Sequence, residues 1–123
     1  MAQERVLKPL VWVGSAKRDF DAFPARGKDD MGFALYLAQR GERHSHAKTL
    51  RGAGDAAIME ILEDHRSGTY RTVCTIRFDT AVYVLHVFQK KSKSGIATPK
   101  SDMKLIEQRL RDAKQLHEES ENE

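Results

Sequence analysis

The 123-residue chain has one cysteine, Cys74, so no disulfide can form within it. That thiol sits inside an apolar run, reads as a small buried side chain, and suits a reducing cytoplasm. No apolar stretch approaches the roughly 20 residues that a membrane span requires. The opening MAQERVLKPL has no long apolar core, which argues against a signal peptide. The chain contains no G-x-x-x-x-G-K-[ST], no G-x-G-x-x-G, no G-x-S-x-G and no H-E-x-x-H. Carboxylates do not gather into a metal cage; Asp79 and Asp102 read as a turn residue and a first-turn helix residue. Metal-dependent phosphodiester cleavage is therefore disfavoured, and no cofactor is expected.

What is present is basic charge, unevenly spread. The net charge is +3, yet Arg66 to Lys104 hold eight Lys or Arg against two Asp. Four glutamates crowd into Glu118 to Glu123 with no base among them. The reading is one domain over residues 1–117 and a disordered acidic tail over 118–123. A basic body points to an anionic partner, nucleic acid first.

Two β-type runs dominate, Thr69 to Phe78 and Ala81 to Phe88, with Asp79-Thr80 as a two-residue hairpin turn. If Phe78 faces Ala81, Arg71 lies opposite Phe88, Val73 opposite His86 and Arg77 opposite Val82. Alternation then puts Arg71, His86, Phe88 and Lys90 on one sheet face and Tyr70, Gln89 and Lys91 on the other. Upstream, Leu10 to Val13 predicts a first strand. Ser15 is placed to cap a short helix carrying Phe20 and Phe23, which Pro24 ends. Asp29 or Asp30 is placed to cap a second helix with Phe33, Ala34, Leu37 and Ala38 inward and Gly41 as its stop.

Residues 41–55 read as a loop. Its His44 and His46 form an H-x-H pair with no further ligand at a suggestive spacing, so a solvated loop is preferred to a metal site. Ala57 to Glu63 predicts a strand. Thr98-Pro99 predicts the start of a last helix with Met103, Ile106, Leu110 and Ala113 as its apolar stripe. The order β-α-α-β-β-β-α indicates an α+β fold: an N-terminal strand and helical hairpin on a small antiparallel sheet, helices on one face, and a C-terminal helix.

The candidate chemistry is metal-free RNA cleavage, in which a 2′-OH attacks the adjacent phosphate. Arginine suits the phosphorane charge because its planar fork meets two oxygens and stays protonated. Histidine or lysine suits the proton steps. Arg71, His86, Lys90, Lys91 and Lys93 can supply that set, and Lys48, Arg51 and Lys100 border it in basic loops. Tyr70 can stack on a base, although it and Tyr83 read more readily as packing residues.

At these residues the chain resembles the phage-derived HigB-like branch of the RelE/ParE superfamily of toxins. The likeness rests on Tyr70-Arg71, on VYVLHVFQKKSK, and on TPK opening a helix that continues SDMKLIEQRL. It extends from LVWVGSAKRDF through ALYLAQRGERH and KTLRG. The resemblance implies a RelE-like fold and the toxin of a type II toxin–antitoxin pair. It further implies a ribosome-dependent endoribonuclease acting on mRNA without a metal, neutralised by a helix-turn-helix antitoxin. The superfamily's strand arginine maps onto Arg71, its basic residues after the last long strand onto Lys90, Lys91 and Lys93, and its basic loop onto Lys48 and Arg51. The final helix lacks the tyrosine of RelE-type relatives, and His117 stands too near its end to replace it, so the proton donor and acceptor stay unassigned. Two alternatives remain: a non-catalytic ParE-like toxin that poisons gyrase, and an inert RNA- or protein-binding module.

Overall fold

The computed structural model describes residues 7–52, 57–65, 68–90 and 98–122. The elements run β1 (Leu10–Trp12), α1 (Ala16–Asp21), α2 (Ala25–Gln39), β2 (Ala47–Thr49), β3 (Ile58–His65), β4 (Gly68–Thr75), β5 (Val82–Lys90) and α3 (Lys100–Glu121). The five strands form one sheet in the order β1-β5-β4-β3-β2. Pairing is antiparallel except at one edge, where β1 lies parallel to β5. The sheet is thus mixed rather than antiparallel throughout, and the α+β arrangement is compatible with a RelE-like fold. Among the described residues no helix is long and apolar enough to cross a membrane.

Strand alternation sorts the core into two layers. Ala16, Phe23, Met31, Ala34, Leu35 and Ala38 of the α1–α2 region pack with Met59, Ile61, Tyr70, Cys74, Val82, Val84 and Val87. Ile106, Leu110 and Ala113 of α3 pack on the other side with Ile58, Val73, Tyr83 and Leu85. Helices therefore cover both faces, not one, because every central strand has apolar residues at odd and even positions.

The hairpin register holds at its far end and fails near the turn. Arg71 pairs with Phe88 and Val73 with His86, but a bulge follows and Cys74 pairs with Val84. The extra residue in β5 lets Leu85 and His86 both face α3. β4 stops at Thr75, so Arg77 does not pair with Val82, and the link to β5 spans residues 76–81 rather than two.

Local starts and stops also differ from the expectation. Ser15 occupies the cap position of α1, but its hydroxyl donates to Asp19 Oδ2 at 2.7 Å, not taking a backbone N–H. Pro24 precedes α2, which places Asp29 and Asp30 inside the helix. The buried face of α2 is Met31, Ala34, Leu35 and Ala38, and Phe33 is exposed. A short edge strand, β2, forms where a loop was expected.

At the far end, α3 continues through Glu121 into the stretch read as a disordered tail. The Phe78 and His117 rings lie 4.1 Å apart, Tyr83 Oη is 3.3 Å from His117 Nδ1, and Glu121 pairs with His117 at 3.4 Å. These contacts hold the last turns, and burial, then the Glu121 charge, pushes the Tyr83 hydroxyl pKa up.

Cys74 is fully enclosed, and burial pushes its thiol up to about 12. At pH 8 the native thiolate fraction is then on the order of one in ten thousand, against about a quarter for an ordinary thiol. The expected outcome is that iodoacetamide labels the unfolded chain within minutes and leaves the native protein unlabelled over the same time, as followed by intact mass.

Candidate nucleic-acid interface

The α3-facing side of the sheet carries Glu60, Arg71 and His86. Arg71, in the middle of β4, lies between Leu62 of β3 and Phe88 of β5. One strand over, Glu60 stands opposite Val73 and also opposite Lys48 of β2, so register alone brings it beside Arg71. Arg71 Nη1 is 3.5 Å from Glu60 Oε2, and both side chains are about 99% buried. Lys48 Nζ approaches Glu60 Oε1 at 3.9 Å, and Thr98 donates its hydroxyl to Glu60 Oε2 at 3.0 Å. One buried carboxylate thus receives an arginine, a lysine and a hydroxyl. Thr98 spends its hydroxyl there and does not cap α3, whose cap position is Pro99.

Above this group the surface is cationic. The Lys48 side chain is 60% exposed. Arg51 and Lys100 are exposed as well. Met103 of α3 comes within 3.5 Å of the Cβ position of Gly52, which ties the 51–52 bend to the first turn of the helix. Lys48 thus stands beside the buried Arg71–Glu60 pair, and the exposed Arg51 and Lys100 extend this cationic rim along the bend and the helix start that meet at Gly52 and Met103. Lys90 ends β5 opposite Thr69, half-buried, on the same face as His86 and Phe88. Lys91 and Lys93 lie outside the described residues.

His86 sits deeper. Its Nε2 is 2.7 Å from Asp102 Oδ1. A carboxylate only accepts, so Nε2 carries the proton, and Nδ1 is left to accept from Arg109 Nη1 at 3.4 Å. Arg109 also donates to the Leu85 carbonyl at 2.9 Å and to Ser15 Oγ at 2.9 Å. The ring stacks on Phe88 at 4.7 Å. A continuous chain, Asp19–Ser15–Arg109–His86–Asp102, thus crosses from α1 through β5 to α3. Both imidazole nitrogens are engaged and the side chain is 8% exposed, so in this arrangement His86 holds β5 against α3.

Tyr70 is placed away from this face. It is buried on the α2 side, edge-on to Phe23 at 4.6 Å and 5.1 Å from His65, so it packs and offers no face to a base. Arg71, too, is enclosed rather than displayed. Glu60 and Arg109 carry no role in the sequence analysis, Thr98 is read there only as a helix cap, and Asp102, in the first turn of α3 as expected, also holds His86. A glutamate inside the apolar run AIMEILE was the one available signal, because a buried carboxylate demands a cation opposite.

The Gp49-like family of phage-derived proteins (DUF891) matches residues 18–111. No curated protein matches the chain. With the match covering most of α1, all of α2 and β2–β5, and the first half of α3, the chain belongs to the Gp49-like family, which is related to the RelE/ParE-like toxins of toxin–antitoxin systems.

Proposed function

We propose that this protein is the toxin of a type II toxin–antitoxin pair and cleaves mRNA on the ribosome, in the cytoplasm, without a metal ion. The observation that carries the reading is the cationic rim of exposed Lys48, Arg51 and Lys100, with Lys48 3.9 Å from Glu60 of the buried Arg71–Glu60 pair. Such a rim attracts a polyanion and aligns its phosphates. In the cleavage step the 2′ oxygen bonds to the adjacent phosphorus and loses its proton. The bond from phosphorus to the 5′ oxygen breaks, and that oxygen gains a proton, leaving a 2′,3′-cyclic phosphate and a 5′-hydroxyl. Lys48, beside the enclosed Arg71–Glu60 pair, balances the developing charge with Arg71 adding its field from beneath, and a neutral lysine of the Lys90–Lys91 pair accepts the 2′ proton. The protonated partner of that pair donates to the leaving oxygen, and His86, expected from the sequence to share the proton steps, acts here by holding β5 against α3. Lys93 holds flanking phosphates. A helix-turn-helix antitoxin neutralises the toxin by laying an acidic segment over the same rim.

The test is primer extension on cellular mRNA after brief induction of the parent and of a Lys48→Ala/Arg51→Ala/Lys100→Ala variant. All three side chains are exposed and Glu60 keeps Arg71 and Thr98, so the fold is expected to survive, which a thermal melt of the variant checks. The parent is expected to give new 5′ ends inside translated regions, and the variant roughly tenfold fewer. Growth arrest with intact mRNA and an SOS response would replace this reading by gyrase poisoning. Unimpaired growth would leave a binding module.

A further inference from the structure

The His44-x-His46 pair acquires a third potential ligand that no local spacing reveals. β3 delivers Glu63 to it, and one ligand atom from each residue lies within 4.8 Å of the others. His46 Nδ1 is 3.0 Å from Glu63 Oε1. The His46 backbone N–H donates to His44 Nδ1 at 3.0 Å, which folds the two rings toward each other with centroids 5.0 Å apart. Phe33 lies edge-on to His44 at 5.9 Å and gives that ring an apolar wall.

We propose that His44, His46 and Glu63 form a binding site for a divalent transition-metal ion, zinc first, with water in the remaining position. Two imidazoles and one carboxylate are a donor set that zinc and its neighbours accept, whereas magnesium and calcium call for oxygen throughout. Ligand atoms about 2.0–2.1 Å from a tetrahedral zinc stand roughly 3.3–3.5 Å apart. The present spread closes by small side-chain rotations, for which the 57% exposure of His46 leaves room.

Glu63 supports the assignment further. Its side chain is only 10% exposed, and among the described residues no lysine or arginine pairs with it. A dication replaces the proton shared between His46 and Glu63 and satisfies a carboxylate that otherwise has only an imidazole. An open cleft of about 350 Å³, lined by His46, Leu62, Glu63 and Asp64, gives the ion access. Glu63 lies on the opposite sheet face from Glu60, so the site is separate from the cationic rim. It pins residues 44–46 to β3 immediately before the strand that carries Lys48.

The experiment is a zinc titration of tag-free, metal-stripped protein against a chromophoric chelator, with cobalt(II) absorption as the geometric readout. The parent and the His44→Ala, His46→Ala and Glu63→Gln variants are compared, each also melted with and without zinc. The parent is expected to take up one equivalent, to show the intense visible bands of tetrahedral or five-coordinate cobalt, and to melt higher with zinc. Each variant is expected to bind at least about tenfold more weakly and to lose the zinc-dependent shift in melting. His44 and His46 sit on a surface loop, so their variants fold even if Glu63→Gln does not. Parent protein that binds no zinc at micromolar concentration would overturn the proposal. So would histidine variants that bind as tightly as the parent, since the ion would then sit on other histidines.

Discussion

Replacing Arg71 by alanine is expected to destabilise the protein by about 3–5 kcal/mol, a large share of the roughly 5–15 kcal/mol that holds a domain of this size together. The reason is Glu60. With Arg71 gone, that carboxylate keeps Thr98 and a lysine 3.9 Å away, yet stays buried in the sheet. An ion that cannot reach water and has lost its closest cation must either take up a proton or open the structure. Urea unfolding of Arg71→Ala, Glu60→Gln and the double variant Arg71→Met/Glu60→Met separates the contributions. The double variant is expected within about 1 kcal/mol of the parent, because removing both ions of a buried pair is often neutral where removing one is not. An unchanged unfolding midpoint for Arg71→Ala would mean that the pair contributes nothing to the fold. Loss of toxicity in Arg71→Ala alone therefore does not distinguish catalysis from unfolding, which is why the nuclease test uses the exposed rim.

A second large effect is expected at Arg109. Its guanidinium reaches across the core boundary to the Leu85 carbonyl, Ser15 Oγ and His86 Nδ1. It also lies against Gly14, where a Cβ would stand 2.9 Å from Arg109 Nε, and that glycine has a φ of +59°. Only glycine tolerates both the conformation and the contact. Arg109→Ala removes the donors to a buried carbonyl and leaves a cavity under the 14–15 bend, at a cost of about 2–4 kcal/mol. Arg109→Lys restores one donor but not the fork, and about half of the loss should return. Thermal melts measure the energies. The His86 imidazole NMR signals should broaden or shift in both variants, since Arg109 is the group that faces Nδ1.

The sequence was informative where local chemistry decides. Thr69 to Phe88 announces a hairpin, and the pairing of Arg71 with Phe88 and Val73 with His86 follows from it. The bulge beyond Val73 has no local signature, because Thr75, Leu85 and their neighbours suit a strand in either register. β2 was missed for a related reason: Ala47–Thr49 is three residues long with no apolar run, and only pairing with β3 makes it a strand. The meeting of Lys48 with Glu60, and of His46 with Glu63, depends on that same pairing and was invisible without it. His86 with Asp102 requires α3 to fold back on β5, a tertiary event that no spacing encodes. The continuation of α3 past His117 is likewise decided by Phe78 and Tyr83, far away in the chain, overriding a composition that suggests disorder.

The parallel edge of the sheet has a kinetic consequence. Leu10 pairs with Val82 and Trp12 with Val84, while the Val13 N–H bonds to the Val84 carbonyl. The first strand to leave the ribosome therefore has nothing to join until the last strand has been made. Closing so long a loop is slow, and it requires β5 to be already held by β4. During synthesis LVWV waits as an unpaired apolar segment until β5 is available. A truncation that removes β5 leaves β1 without its pairing strand, so early termination of this message removes the sheet edge along with the last strand.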